Sequence, residues 1–369
     1  MLNELLKERD LLPILTMNDG TPVTRENWPQ RRAEMLEALE KYSYGRTPPK
    51  PKRVWGEILE ECPWRFTTAY GGKVHQEHIR IHFETDYGIC TFPFVLAIPT
   101  GVERPPVMLA MSLERNLPNK FVPVEEIIDN GYALAVVCHH DMVNDRNTPG
   151  YADFSDGIAA HFGTQPVREP EEWGKVGMWA YGMSRILDYL LTRDDIDAEH
   201  TAVIGHSRGG KTALWAAAQD ERFYAAISNN SGYGGAATSK HGEGEKIKDF
   251  FRLGSWVMFC ENFKEFADKE DEKPYDQAYL LALIAPRLMC VGSAVEDLAA
   301  DPKSEFLTSL WASQAWELLG EKGLVTPDKL PEVGDALHEG NIGYHLRKGD
   351  HFLSREDWNQ YSKFLAKHR

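Results

Sequence analysis

Residues 201 to 218 read TAVIGHSRGGKTALWAAA: an apolar strand-like run, a glycine-rich break and a helical pattern, with only a few residues between strand and helix. The break holds Gly205, His206, Ser207, Arg208 and Gly209 in the spacing G-x-S-x-G. With glycines at those places the backbone can turn sharply without crowding the serine. The hydroxyl then stands exposed at the strand end, beside a helix N-terminus whose N–H groups can bind an oxyanion. So short a pattern arises by chance, and the flanking strand and helix are what give it weight.

The rest of the chain alternates in the same way. TRENWPQRRAEMLEALEKYSYG has helical spacing, with Thr24 as its N-cap and Glu26 in its first turn, and stops near Gly45. Before it the opening reads as irregular. VHQEHIRIHFETDYG, CTFPFVLAIPT, PPVMLAMS and GYALAVVC read as strands, with a helix-like PVEEIIDNG before the last. The turn-forming segment 144–172 reads as a long surface loop, and KVGMWAYGMSRILDYLLTRDDI as a long buried helix. FYAAISNNSG and RLMCVGS are further strands, EFLTSLWASQAWELLG a helix stopped by Gly320, and the chain closes as strand GYHLR, loop and capped helix. An antiparallel opening that passes into βαβ units implies a mostly parallel sheet with helices on both faces. We therefore expect one α/β-hydrolase domain over 1–369, with an N-terminal helical extension over about 1–50.

Composition narrows the partners. A net charge of −15 disfavours nucleic acid, which needs clustered Lys and Arg. No apolar run reaches the roughly 18 residues of a membrane span, so no membrane partner is expected. The N-terminal MLNELLKERDLLPILTMNDG mixes charges into its apolar positions instead of forming a signal-peptide core, so a cytoplasmic location is expected. The five cysteines, Cys62, Cys90, Cys138, Cys260 and Cys290, have no CxxC spacing and read as reduced and mostly buried. His139, His140 and Asp141 adjoin, but no second cluster has ligand spacing, so neither metal nor cofactor is expected.

Serine alone is a poor nucleophile and needs a base and an orienting acid, in this fold in the order Ser, acid, His. Of His241, His338, His345, His351 and His368, His351 in RKGDHFLS lies between the last strand and the last helix, where the base belongs. His345 sits within the strand and reads as packed. The loop after RLMCVGS offers Asp297 first and Glu296 second as the acid, with Asp301 further on. Arg208 and Lys211 fall in the first turn of the helix, where cations gain nothing from the dipole. Arg208 could add a guanidinium to the oxyanion site, and Lys211 could meet a polar or anionic group of the substrate. Trp256 is expected near the pocket; Trp311 and Trp316 read as core.

GHSRGGK resembles the GCSRxGK signature of the glucuronoyl esterases, carbohydrate esterase family 15, and SNNSGYGG resembles the QESGxGG that follows it there. The likeness extends to ERF, DLAADP, the EF after it, RKGDH and the N-terminal pattern of Trp28, Arg31, Arg32, Glu34, Tyr44, Gly45 and Pro48. It implies Ser207 as nucleophile, His351 as base, Arg208 at the oxyanion and Lys211 on the sugar. Two positions depart from it: His206 stands where the family has cysteine, and Asn230 where many members carry the triad glutamate. An amide cannot supply that charge, so the resemblance implies an acid moved to the loop of Glu296 and Asp297.

The expectation is a serine carbohydrate esterase acting on a glucuronoyl ester or related sugar ester through an acyl-enzyme. An acetyl xylan esterase or sugar deacetylase is the alternative, followed by a serine peptidase and by a non-catalytic sugar-binding homologue.

Overall fold

The computed structural model describes residues 1–59, 70–144, 154–164, 167–252 and 254–369. Ten strands form one sheet: β1 (Arg53–Ile58), β2 (Val74–Thr85), β3 (Gly88–Pro99), β4 (Pro106–Ser112), β5 (Ala133–Cys138), β6 (Asp197–His206), β7 (Ala225–Asn229), β8 (Leu288–Ala294), β9 (Ala336–Leu337) and β10 (Ile342–Arg347). Their spatial order is β1-β2-β3-β5-β4-β6-β7-β8-β10-β9. The pairs from β1 to β5 through β3 are antiparallel, as is β9 with β10, and those from β5 through β4, β6, β7 and β8 to β10 are parallel. This is the α/β-hydrolase arrangement expected from the alternation.

Strands buried on both faces carry apolar side chains at every position. In β4, Val107, Leu109 and Met111 join one core, while Met108 and Ala110 join the other. The larger core holds Trp179 and Ile186 of helix Lys175–Leu190, Leu214 and Trp215 of helix Arg208–Gln219, and Phe306 and Trp316 of helix Pro302–Leu319. Opposite it, helices Val124–Asp129 and Arg355–Lys367 bring Ile127, Trp358, Tyr361 and Phe364 onto the sheet. Gly320 stops its helix in the left-handed region at φ 93°, and Ser354 with Asp357 forms a capping box on the last helix. Among the described residues no helix is long and apolar enough to cross a membrane.

Several local readings are corrected. The opening is helical over Leu2–Arg9. The next helix starts only at Trp28, with Asn27 at the N-cap position but no side-chain cap hydrogen bond. Thr24 instead exchanges hydrogen bonds with Asn27, which places Glu26 ahead of the helix. Strand β1 went unread because it is a largely exposed edge strand, and Gly56 within it leaves room for the Tyr189 ring, which a Cβ would approach to 2.5 Å. The described parts of the expected surface loop are not all at the surface. Phe154 and Ile158 are buried, and the buried Arg168 donates to the carbonyls of Trp173 and Phe259 and to Glu261, each at 2.9 Å. Residues 145–153, 165 and 166 of that loop, and Cys62, lie outside the described residues. The other four cysteines are buried and unpaired.

The N-terminal pattern fastens the first fifty residues to the wall behind the elbow helix. Arg31 is buried and donates to the carbonyls of Pro13 and Ile14, with its guanidinium over the Tyr279 ring. Tyr44 stacks on Trp215 at 4.4 Å and donates to the Gly234 carbonyl. Gly45 is required where it stands: φ is +84°, and a Cβ would lie 2.2 Å from Trp173 Cα.

Candidate active site

Four neighbouring strands, β6, β7, β8 and β10, run parallel, so their C-terminal ends meet at one edge of the sheet, where open α/β sheets bind ligands. Each end contributes: Ser207 after β6, Asn230 after β7, Asp297 after β8 and His351 after β10.

Ser207 occupies φ 57°, ψ −120°, a conformation that a non-glycine residue holds only when its surroundings impose it. They do so here. A Cβ on Gly205 would lie 2.2 Å from the Gly209 backbone, and one on Gly210 would lie 2.9 Å from Ser228 Oγ and from the Ser231 side chain. The Ser207 N–H donates to the Asn229 carbonyl at 2.9 Å, tying the elbow to β7. The helix begins at Arg208, which puts its N-terminal end beside the serine.

His351 is held through the loop that carries it. Arg347, the arginine of RKGDH, is buried; it donates to the Lys348 and Asp350 carbonyls at 2.9 and 3.2 Å and to the Phe352 carbonyl, while its Nε is anchored on Asp357 at 2.8 Å. So wrapped, the loop delivers His351 Nδ1 to Asp297 Oδ2 at 2.6 Å. The side chain of His206 packs against it with ring centroids 4.5 Å apart, while its own Nδ1 meets Asn229 Oδ1 at 2.8 Å. Burial, with the charge of His351 adding to it, pushes His206 down to about 4, so it is neutral near pH 7.

Asp297 is 5% exposed. Burial alone would raise its carboxyl, but the hydrogen bond and charge of His351 and the amide of Asn230 outweigh it and hold the group below its ordinary value. Asn230 Nδ2 donates to the same oxygen, Oδ2, at 2.7 Å. The amide that stands where many family members carry glutamate thus hydrogen-bonds to the carboxylate that His351 meets. Glu296, the second choice for the acid, is exposed, and its backbone donates to the Gly349 carbonyl and accepts from the Leu298 N–H, while His351 meets Asp297 instead. Asp301 caps helix Pro302–Leu319 through the Ser304 N–H.

Ser207, Asp297 and His351 line one cavity of about 170 Å³ with Lys211, Asn230, Ser231, Gly232, Glu245, Ala299 and Ala300. Lys211 is buried, donates to the Ser231 carbonyl and is lowered by that burial, which the charges of Glu245 and Glu305 oppose. Burial also lowers Arg208, with Glu245 again opposing. Glu245, which sequence reasoning did not single out, lines the cavity with Lys211, and its charge acts on both cations. Glu305 was noted only inside an EF pair. It is fully buried, accepts from the N–H groups of Ser231 and Gly232, each at 2.9 Å, and from Ser293 Oγ at 2.6 Å, and burial pushes it up to about 7. No local signal marks either glutamate, because both act across long separations in sequence.

Trp256 does not join this cavity among the described residues. It is half-buried, with Lys264 Nζ 3.5 Å from its ring centroid and the Arg168 guanidinium at 5.5 Å. Trp316 is buried as expected, and Trp311 is half-buried, donating to the Leu12 carbonyl at 3.0 Å.

The family model for fungal glucuronyl esterases matches residues 167–320. A carbohydrate esterase from an unknown prokaryotic organism is 34% identical over 396 residues, which cover 96% of this chain and 88% of that protein. Two solved structures superpose over nearly the whole chain, each at 33% identity. A glucuronoyl esterase from Solibacter usitatus gives a TM-score of 0.85, covering 96% of this chain and 97% of its own. A promiscuous family 15 carbohydrate esterase from a marine bacterial metagenome gives 0.83, covering 97% of each.

Proposed function

Because the chain belongs to carbohydrate esterase family 15, we propose that the cavity at Ser207 hydrolyses an ester whose acyl part is a uronic sugar. The observation that carries this reading is the pairing of His351 with Asp297 beside Ser207, in a cavity whose remaining polar walls include Lys211 and Glu245. Such walls suit a hydroxyl-bearing acyl group. An acetyl group would meet neither the ammonium of Lys211 nor the carboxylate of Glu245, whereas sugar hydroxyls can hydrogen-bond to both.

In the proposed sequence Ser207 Oγ attacks the ester carbonyl as His351 takes its proton. Asp297 fixes the tautomer that presents Nε2 to the serine and stabilises the imidazolium that forms. The oxyanion is met by N–H groups at the start of helix Arg208–Gln219 and by the Arg208 guanidinium. His351 returns the proton to the departing alcohol, and water then cleaves the acyl-enzyme by the same route. No bound cofactor enters these steps. If the enzyme works in the cytoplasm, its substrates are small esters or imported oligosaccharides.

The test is hydrolysis of a benzyl glucuronate ester and of 4-nitrophenyl acetate by the wild type, Ser207→Ala and Asp297→Asn. Turnover of the glucuronate ester that is lost in both variants supports the reading. Turnover of the acetate alone would transfer the assignment to a deacetylase.

A further inference from the structure

A second cluster lies on the opposite face of the sheet edge, under the last helix. Cys290 of β8, His345 of β10 and His338, just beyond β9, each offer one ligand atom, and the three atoms lie within 4.8 Å of one another. All three residues are buried, His345 at 2% and His338 at 9% exposure. Two of their ring nitrogens, His338 Nε2 and His345 Nδ1, are buried with no hydrogen-bond partner. An unpaired buried polar atom costs free energy, and two of them on residues clustered with a buried thiol call for a partner.

The surroundings are shaped for it. His345 Nε2 meets Asp357 Oδ1 at 2.9 Å, and Asp357 is held as a carboxylate by Arg347 and by the Ser354 N–H. With the proton on Nε2 facing that carboxylate, Nδ1 carries the lone pair, which is the carboxylate-histidine arrangement that orients metal ligands. Glycine is needed on both strands. A Cβ at Gly292 would lie 2.2 Å from Tyr361 Oη and 2.6 Å from His345 Cε1, and one at Gly343 would lie 2.7 Å from the Phe364 ring and 3.0 Å from Cys290 Sγ.

We propose that Cys290, His338 and His345 form a buried binding site for one zinc ion, tying together β8, β9 and β10 at the sheet edge. One thiolate and two imidazoles are the donor set of a borderline-soft cation. Zinc bonds of roughly 2.0–2.3 Å set neighbouring tetrahedral ligands roughly 3.3–3.8 Å apart, so a small inward shift of side chains closes the site. Binding releases the Cys290 proton to solvent, and a water or hydroxide takes the fourth position. The pattern escaped the sequence because Cys290 stands 48 residues before His338, and only His338 and His345 are near each other in the chain.

The experiment titrates cobalt(II) as the spectroscopic probe into the full-length protein after dialysis against a chelator, then adds zinc. The expected result is one equivalent of cobalt per chain, a thiolate-to-cobalt charge-transfer band and its loss on adding one equivalent of zinc. Ser207→Ala should keep the band, Cys290→Ala should lose it, and Asp357→Asn should weaken affinity roughly 10- to 100-fold. Should Cys290→Ala fold poorly, His338→Gln replaces it: zinc should raise the melting temperature of the wild type and leave that of His338→Gln unmoved. Absence of the band in folded protein saturated with cobalt would overturn the proposal, as would its survival in Cys290→Ala.

Discussion

Two histidine-carboxylate pairs stand six residues apart along the same strand and loop, and they do opposite things. His351 meets Asp297 at 2.6 Å with 47% of its side chain exposed, whereas His345 meets Asp357 at 2.9 Å with 2% exposed. In both, burial of the carboxyl pulls upward and the charged neighbours pull it below its ordinary value. The difference lies in what the other ring nitrogen faces. His351 opens onto the cavity of Ser207, and His345 points an unpartnered nitrogen into the core. The same hydrogen-bond chemistry thus borders a cavity in one pair and the core in the other. Arg347 links the two, since it is anchored on Asp357 and wraps the loop of His351.

The comparison breaks most visibly in activity. Ser207→Ala should lower kcat on the preferred ester by roughly 10⁴- to 10⁶-fold, read by initial rates, with the melting temperature nearly unchanged. Asp297→Asn should cost about 10³- to 10⁴-fold, because an amide can leave His351 in the wrong tautomer. A loss below tenfold there would show that Asp297 does not orient the base.

Asp357→Asn should invert that pattern. Removing one partner of a buried pair destabilises by roughly 3–5 kcal/mol, seen in urea unfolding, while the folded fraction keeps kcat within about tenfold. A larger catalytic loss would mean that Arg347 passes the damage on to His351.

Acid should separate the pairs further. The folded value of His206 is about 4, below the ordinary 6.5 or so, and the unfolded chain takes up that proton first. Stability should therefore fall as pH drops from about 6.5 to about 4, and His206→Cys should flatten that slope. The depressed Asp297 stabilises above its unfolded value of about 3.9 and loses that contribution as pH falls through its lower folded value. Asp297→Asn should accordingly lower stability by a constant amount above pH of about 4 and change the slope of the unfolding profile only below it. The smallest effect is expected of Asn230→Ala, which removes one of two donors to Asp297 Oδ2. It should cost about three- to tenfold in kcat.

The elbow and the position of His351 were legible because each is local: a glycine spacing, and a loop between the last strand and the last helix. Asp297 could be ranked above Glu296 only as a preference, since adjacent loop carboxylates look alike until the turn after β8 buries one and exposes the other. The placement of Trp256 failed because an aromatic residue in a short helical turn carries no direction of its own, and Lys264 and Arg168 claim its faces. Glu245, Glu305 and the cluster at Cys290 were silent for the same reason: each owes its environment to segments tens of residues away.

By itself the sequence determined the alternation that requires a parallel sheet, the turn that exposes Ser207 and the loop that offers a base, all of them properties of backbone geometry over a few residues. Only the tertiary structure decided which carboxylate meets His351, that Asn230 supports it, and that Lys211 is buried against the Ser231 carbonyl. Those contacts depend on strands brought side by side by burial of their apolar faces, and no window along the chain contains them.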